Sequence, residues 1–455
     1  RLLAVIQATG FSRWSIDMKK KVVLFIEWAN IGRDLEMNLP VMYFFEKILK
    51  WEVRYKHINN VPDILSTKPN LVIMSSISGA DIYVEIAQYI QKSKIPLLIN
   101  TTEGFFREED IKEFVWGWNK SEIIYESVCN YWSCKSYNMM LKNYPQRLGV
   151  SRVCGSLGHD KYIFLKKQKT ILTRYEKIIG YAAFDFNRVL SDKKKFVDII
   201  PGIQKNLDIT KNILKDLIIN NKDILFIIKS HPSDMGRRPL EIEGLEHLDN
   251  IKILPYSVSI VEAISNSDIW MSFSSGSILE AWLQKIPTIS FLTNKKKFSS
   301  EVMYGSVLEN NPKEINRMIR EFYINNAIER FSKKHDKRSK LIKDMICYSD
   351  GLNHVRYMSI LKPFIDDDKN IKKNIQVPFK YRFKGRLRYM VYRIAKNRDK
   401  VPFLKKYAHI YGNWNLKIFY QQRQKYYDSL DVFYSNKGDV VSDIYNNYEE
   451  KCVNE

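Results

Sequence analysis

Two series of short, mainly apolar runs, each leading through a polar turn into a helical stretch, constrain this chain more than any other feature. Val22–Ile26, Val53–His57, Leu71–Met74 and Pro96–Ile99 have strand length and alternate with helical stretches such as Met37–Lys50 and Tyr83–Lys92. A second series, Lys177–Ala182, Ile224–Ile228, Ile251–Leu254, Ile269–Phe273 and Thr288–Phe291, alternates with helices such as Ile209–Asn220 and Ser259–Ser265. Strands this apolar are buried on both faces, which a parallel sheet covered by crossover helices provides. The expected fold class is therefore α/β, with two Rossmann-like domains, and 455 residues that are 45% hydrophobic suffice for two cores. The expected divisions are a leader at 1–17, an N-terminal domain at 18–165, a C-terminal domain at 166–365 and an extension at 366–455, with a hinge in 161–176. Met18 has the look of a natural start, and no function is drawn from the leader.

Open α/β sheets bind ligands at the carboxyl ends of their strands, and two such ends stand out. Asp223–Ile228 is a hydrophobic strand that Pro232 stops, leaving Ser230 and His231 at its end. A histidine there can donate to a phosphate oxygen or move a proton near neutral pH, whereas one inside a core would only satisfy a backbone carbonyl. Ile269–Phe273 runs into Ser274-Ser275-Gly276-Ser277 and then the helical Ile278-Leu279-Glu280-Ala281. Free N–H groups at that turn suit a phosphate or carboxylate. An ordinary serine N-cap would read the same way. Gly155-Ser156-Leu157-Gly158-His159-Asp160 forms a further Gly-containing loop, and neither a P-loop nor a G-x-G-x-x-G fingerprint is present. ATP and NAD are disfavoured.

Five cysteines, Cys129, Cys134, Cys154, Cys347 and Cys452, make an odd set with no C-x-x-C pair, which indicates neither a disulfide framework nor a zinc site and fits a reducing cytosol. No run approaches the length of a membrane-spanning helix. The Lys19–Lys21 cluster before Val22–Ile26 imitates a signal peptide, but Glu27 ends the apolar run early, with no cleavage site after it. The formal net charge is +22, and between Lys369 and Lys425 there are 17 Lys and Arg against one acid, Asp399. Tyr and Phe are interleaved there, an arrangement suited to anionic lipid headgroups. RNA binding, or a solvated extension with no partner, would have a similar composition. Asp366-Asp367-Asp368 has the look of an acidic metal triplet, but it follows both α/β segments and is expected to be a linker.

The order of segments resembles the GT-B glycosyltransferases of bacterial surface-carbohydrate biosynthesis, particularly the group with the Kdo transferases of capsule and lipopolysaccharide assembly. Glu27 with Gly32-Arg33-Asp34-Leu35 is similar to that group's "E…RELD" opening, and Thr101-Thr102-Glu103-Gly104 to its acidic "DEEG" turn. Val153-Cys154-Gly155-Ser156-Leu157-Gly158-His159-Asp160 resembles the "V-x-G-N-P-R-x-D" that closes the first domain. Ser230-His231-Pro232, Ser274–Ser277 with Glu280-Ala281, and Ile286-Pro287-Thr288 resemble the "HP" and "S/T…EA…G-x-P" stretches of the nucleotide-binding domain. The likeness spans roughly residues 20–360. Thr101-Thr102 stand where the group has acids, Ser-Leu-Gly replaces Asn-Pro-Arg, and Lys285-Ile286 stands where a glycine is usual before Pro287.

The resemblance implies two Rossmann-like domains facing across a cleft, with the donor on the second and the acceptor on the first. It implies a metal-independent transferase with no cofactor, whose substrates are a nucleotide sugar and a polysaccharide or lipid-linked acceptor. Ser230, His231, Pro232, Ser274, Ser275, Gly276, Ser277 and Glu280 would hold the donor. Glu103, Asp34 and His231 are the catalytic candidates, and Glu27, Arg33, Gly104, Gly155 and Asp160 would line the acceptor side. Bland alternatives are that Glu103 caps a turn, Asp34 N-caps a helix and Glu280 pairs with a nearby base. The basic segment 369–425 would rest on the anionic inner face of the cell membrane, with no nucleic acid expected. Polyol-phosphate transferases of wall teichoic acid synthesis, which use CDP-glycerol, resemble the same plan. A non-enzymatic RNA- or partner-binding role on a degenerate fold is a third reading.

Overall fold

The structure is a computed structural model that describes residues 20–30, 32–77, 81–102, 104, 108, 123–167, 169–191, 200–234, 237–255, 258–291, 301–367, 372–396, 414–450 and 452. The leader 1–17 and Glu103 lie outside the described residues. The chain divides into two compact units, Arg1–Leu165 with Asp344–Glu455, and Lys166–Lys343.

The first unit is built on a six-stranded parallel sheet of β1 (Val22–Glu27), β2 (Glu52–His57), β3 (Leu71–Met74), β4 (Leu97–Asn100), β5 (Val128–Tyr131) and β6 (Ser151–Val153), in the order β2-β1-β3-β4-β5-β6. All six residues of β1 are buried, as a central strand covered on both faces requires. The order reverses direction between β1 and β3, which is the topological switch point of this sheet.

The second unit carries β7 (Lys177–Ala182), β8 (Ile224–Lys229), β9 (Ile251–Leu254), β10 (Ile269–Ser272), β11 (Thr288–Ser290) and β12 (Val307–Leu308), in the order β12-β11-β10-β7-β8-β9. Every pair is parallel, so the strand order is that of a dinucleotide-binding sheet, with its switch point between β7 and β10. Gly180 of β7 stands in register with Trp270 of β10, and a Cβ on Gly180 would collide with the Trp270 ring and the Ser267 hydroxyl. The glycine thus makes room for a fully buried tryptophan at the switch point.

The helices used below are α1 (Arg33–Tyr43), α2 (Asp81–Lys92), α3 (Cys134–Asn143), α4 (Ile200–Asn220), α5 (Ser277–Leu283), α6 (Pro312–Asn325), α7 (Asn353–Ile360), α8 (Phe379–Lys396) and α9 (Leu416–Asn447). In the second unit, α4 and α6 contribute Ile213, Leu214, Leu217, Ile315 and Met318 to the core that covers its sheet. In the first, α1 is buried along Leu35–Tyr43 because α9 covers it, joining Tyr426, Tyr427, Leu430, Phe433 and Tyr434 to Tyr43 and Phe44 in one core.

The C-terminal segment therefore departs from its sequence reading. Composition sets 366–455 apart as an extension after a domain ending at 365, whereas the described residues from 344 onward pack as part of the first unit. The physical reason is the apolar stripe of α9, which belongs to the same core as β1 and α1. The cysteine reading also needs correcting, because Cys134 of α3 and Cys452 are joined by a disulfide with Cα atoms 5.5 Å apart. A pair separated by 318 residues leaves no spacing signature in the sequence.

Candidate functional site

In the second unit, Ala182 of β7 is in register with Lys229 of β8 on one side and Ser272 of β10 on the other. Two residues beyond that row the chain reaches Phe184, His231 and Ser274, so three loops end side by side at the switch point. With strands spaced about 4.8 Å apart, the outer two loops are about 10 Å from each other. The sequence-expected residues Ser230, His231, Pro232 and Ser274–Ser277 are thus gathered at one sheet edge.

His231 is partly exposed, and its Nδ1 lies 3.8 Å from Asp185 Oδ1. Its backbone N–H donates to Asp234 Oδ2 (3.0 Å), and Asn187 Nδ2 donates to Asp234 Oδ1 (2.8 Å). Arg188 pairs with Asp185 from the next turn. Burial lowers the pKa of His231, Asp185 and Asp234 oppose that shift, and Arg188 and Lys229 assist it, so the imidazole is neutral at neutral pH. Burial also raises the Asp234 carboxyl. The buried Lys229 Nζ donates to the carbonyls of Ser230 (3.1 Å) and Pro255 (3.3 Å), fixing the chain where it leaves β8. Pro232 is exposed and opens a single 3₁₀ turn.

Glu241, which sequence reasoning passed over, holds the middle loop. Its Oε1 accepts from the Phe184 N–H (2.7 Å) and the Tyr181 hydroxyl (3.3 Å), and burial pushes its carboxyl up to about 7. Asp185 was passed over as well. The rule that drew attention to His231 points to it equally, since Asp185-Phe186-Asn187-Arg188 follows the carboxyl end of β7.

The serine loop is more structural than its composition suggests. Trp270 Nε1 donates to Ser277 Oγ (2.9 Å), Ser275 Oγ is 2.8 Å from the same hydroxyl, and the Ser277 N–H donates to Ser275 Oγ (3.2 Å). Ser277 is buried, and α5 behind it is only seven residues long. Ser274, Ser275 and Gly276 are half-buried at the sheet edge, and Glu280 is half-buried in the first turn of α5.

In the first unit the structure brings Glu27, Arg33 and Asp34 together. Glu27 ends β1 at the switch point, fully buried, and receives Asn38 Nδ2 (3.0 Å) and the hydroxyl of Ser75, the residue after β3. Burial, and then repulsion from Asp34, push the Glu27 carboxyl well above the usual carboxylate range. Asp34 is half-buried in the first turn of α1, with Arg33 Nε 4.0 Å from its Oδ1. Gly32, at φ +78°, turns the chain into that helix.

The remaining first-unit candidates lie elsewhere. Gly104 is packed against the Trp132 ring, where a Cβ would not fit. Gly155, at φ +88°, faces Asn353. Asp160 is buried, with Oδ1 accepting from the Asn353 backbone N–H (3.2 Å) and Nδ2 (2.8 Å), and Oδ2 accepting from the His354 backbone N–H (2.8 Å). His354 Nδ1 is also 2.8 Å from Oδ2, and its Nε2 is 2.9 Å from the Tyr434 hydroxyl. Asp160 therefore caps α7 and ties it to α9 through His354. Among the described residues, no group of three or more His, Cys, Asp or Glu side chains is arranged to hold a metal ion.

No protein-family model matches this chain, and no curated protein matches it in sequence. Several solved structures share its fold. S. aureus MnaA, solved with UDP, is 12% identical, with 76% of this chain and 97% of that one covered at a TM-score of 0.50. A Listeria monocytogenes protein provisionally assigned as a UDP-N-acetylglucosamine 2-epimerase is 11% identical, with 78% and 99% covered at 0.51. The wall teichoic acid polymerase TagF, as a variant soaked with CDPG, is 9% identical, with 81% and 95% covered at 0.51. At these identities the likeness establishes the fold, a GT-B-like α/β architecture with two parallel six-stranded sheets and a helical C-terminal region.

Proposed function

We propose that this protein is a glycosyltransferase, moving a sugar from a nucleotide-activated donor, CMP-Kdo-like or another nucleotide sugar, to a surface polysaccharide or glycolipid acceptor at the cytoplasmic face of the membrane. The observation that carries the reading is the row of three loop ends at the second unit's switch point, with the half-exposed, neutral His231 backed by Asp185. An arriving phosphate would favour protonation of that imidazole, and the imidazolium would donate to the phosphate oxygen as the anomeric C–O bond breaks. Ser274 and Ser275 would add donors to the same phosphate, and Glu280 would accept from a ribose or sugar hydroxyl. The acceptor oxygen forms the new bond to the anomeric carbon and gives its proton to a carboxylate, assigned to Asp34 or Glu103. Glu27, held by Asn38 and Ser75 with its carboxyl pushed up by burial and by Asp34, would stand behind that carboxylate. Similarity in fold to MnaA solved with UDP supports a nucleotide diphosphate site.

TagF soaked with CDPG favours a second reading on the same fold, transfer of a phosphoryl-polyol from CDP-glycerol. Incubating purified protein with CMP-sugars, UDP-sugars and CDP-glycerol separates the two, because a single donor class should be consumed, and His231→Ala should abolish its consumption. Isomerisation of a UDP-sugar with no acceptor present would refute the transferase reading. Consumption of no donor, with cellular activity unchanged in His231→Ala and Glu280→Ala, would favour a non-enzymatic role.

A further inference from the structure

We infer that α8 lies in the plane of an anionic lipid surface with one apolar arc inserted among the headgroups. One side of the helix is docked on the first unit. Tyr381 is buried with its ring 4.5 Å from that of Tyr89, Gly385 sits against Val61 with no room for a Cβ, and Tyr392 stacks on His57 at 4.4 Å. Lys384 and Arg388 pair with Glu85 of α2. These positions recur at i, i+4, i+7 and i+11, a single helical face.

Among the described residues nothing covers the opposite face, and it is apolar. Phe379, Phe383, Leu387, Met390, Val391 and Ile394 are 47–82% exposed and fall within an arc of about 120° at 100° per residue. They are six of the sixteen large hydrophobic residues exposed among the described residues, so over a third of such surface is concentrated on one helix. Arg382, Arg386 and Arg393 line one edge of the arc and Lys384 the other, with Lys380 inside it. The whole helix carries seven Lys and Arg and no acid.

That charge decides between occupants. A second copy of α8 would bring like charges together, and RNA would leave the aliphatic groups without stacking partners, since they offer no hydrogen bonds and few rings. Anionic headgroups around an acyl interior complement both the arginine edges and the arc. No described helix is long and apolar enough to cross a membrane, so the contact is interfacial. The inference stands independently of the donor chemistry.

The test is sedimentation of the full chain with vesicles of phosphatidylcholine alone or mixed with phosphatidylglycerol, at low and high salt. Binding is expected at least about tenfold tighter with phosphatidylglycerol, weakening as salt rises. Phe383→Ser/Leu387→Ser/Ile394→Ser should lose about tenfold or more with its melting temperature unchanged, because those side chains are exposed. Equal sedimentation of wild type and triple variant would overturn the inference, as would a wild-type dimer or RNA complex that the variant abolishes with no vesicle binding by either. Should the triple variant melt early, Phe383→Trp reads insertion by itself. Its difference emission moves to the blue with anionic vesicles, or stays in place and refutes the contact.

Discussion

Replacing Glu241 by Gln tests its placement beneath the middle of the three loops at the second unit's switch point. The Glu241 carboxyl is 1% exposed and accepts from the Phe184 N–H, one residue before Asp185, while its Oε2 is buried with no hydrogen-bond partner among the described residues. Burial moves it from 4.5 to about 7. The folded state thus binds this proton more tightly than the unfolded chain. The resulting stability is fully present below pH 4.5 and is lost as pH rises through about 7. Between pH 5 and pH 8 the loss amounts to about 2–3 kcal/mol, at 1.36 kcal/mol for each tenfold change in proton affinity. Gln keeps the carbonyl that Phe184 needs and has no proton to lose. Its amide nitrogen sits where Oε2 lacked a partner, a pH-independent cost of about 1–3 kcal/mol. Hydrogen exchange of the β7 and β8 amides, corrected for intrinsic rates at each pH, reads the opening free energy of the second unit. The Gln variant is expected to gain about 2–3 kcal/mol on wild type between pH 5 and pH 8. Parallel pH slopes for the two proteins would refute the placement of Glu241 as a buried carboxyl beneath the loop.

Three further outcomes follow from the same geometry. Nucleotide affinity should rise as pH falls below 6.5, because phosphate binding restores the proton that burial drives off His231; in His231→Gln the titration should be flat and the affinity at pH 6 about tenfold lower by calorimetry. Gly180→Ala should destabilise the second unit by about 1–3 kcal/mol, seen in the same exchange experiment, since its methyl meets Trp270 and Ser267. Asp160→Asn should lower the stability of the first unit by about 3 kcal/mol in thermal unfolding, by turning an amide toward the donors of Asn353 and His354, and should leave nucleotide affinity unchanged.

Most of the strands that sequence reading found are continuously apolar, while Val53–His57 and Ile251–Leu254 carry charged residues. Val22–Glu27 and Ile224–Lys229 are buried throughout, and their lack of polar interruption is itself the signature of a central parallel strand. β5 and β6 escaped it because Asn130 and Arg152 interrupt runs that are already short, and β12 because it is only two residues long. At the candidate site, His231 and Ser274 were legible because each follows such a strand. Glu241 was not, because it reaches the site from a single 3₁₀ turn, Leu240–Ile242, too short to show a periodicity. The closing motif that ends at Asp160 reads as a site loop, yet its carboxylate meets Asn353 and His354, which follow it by 193 and 194 residues and which no local pattern connects to it. The basic tail hid α9 for a related reason: its buried tyrosines and phenylalanines look interfacial in composition, and only the partner surface on α1 shows them to be core.

The central claim is that the second unit's switch point holds an activated nucleotide through His231. A thermal-shift panel with CMP, CDP, UDP, GDP and ADP tests it most directly, since a ligand bound only by the folded state stabilises it by about 2.7 kcal/mol at one hundred times its Kd. One cytidine or uridine nucleotide should raise the melting temperature of the wild type and not that of His231→Ala. A flat panel, or the same shift in both proteins, would contradict the account.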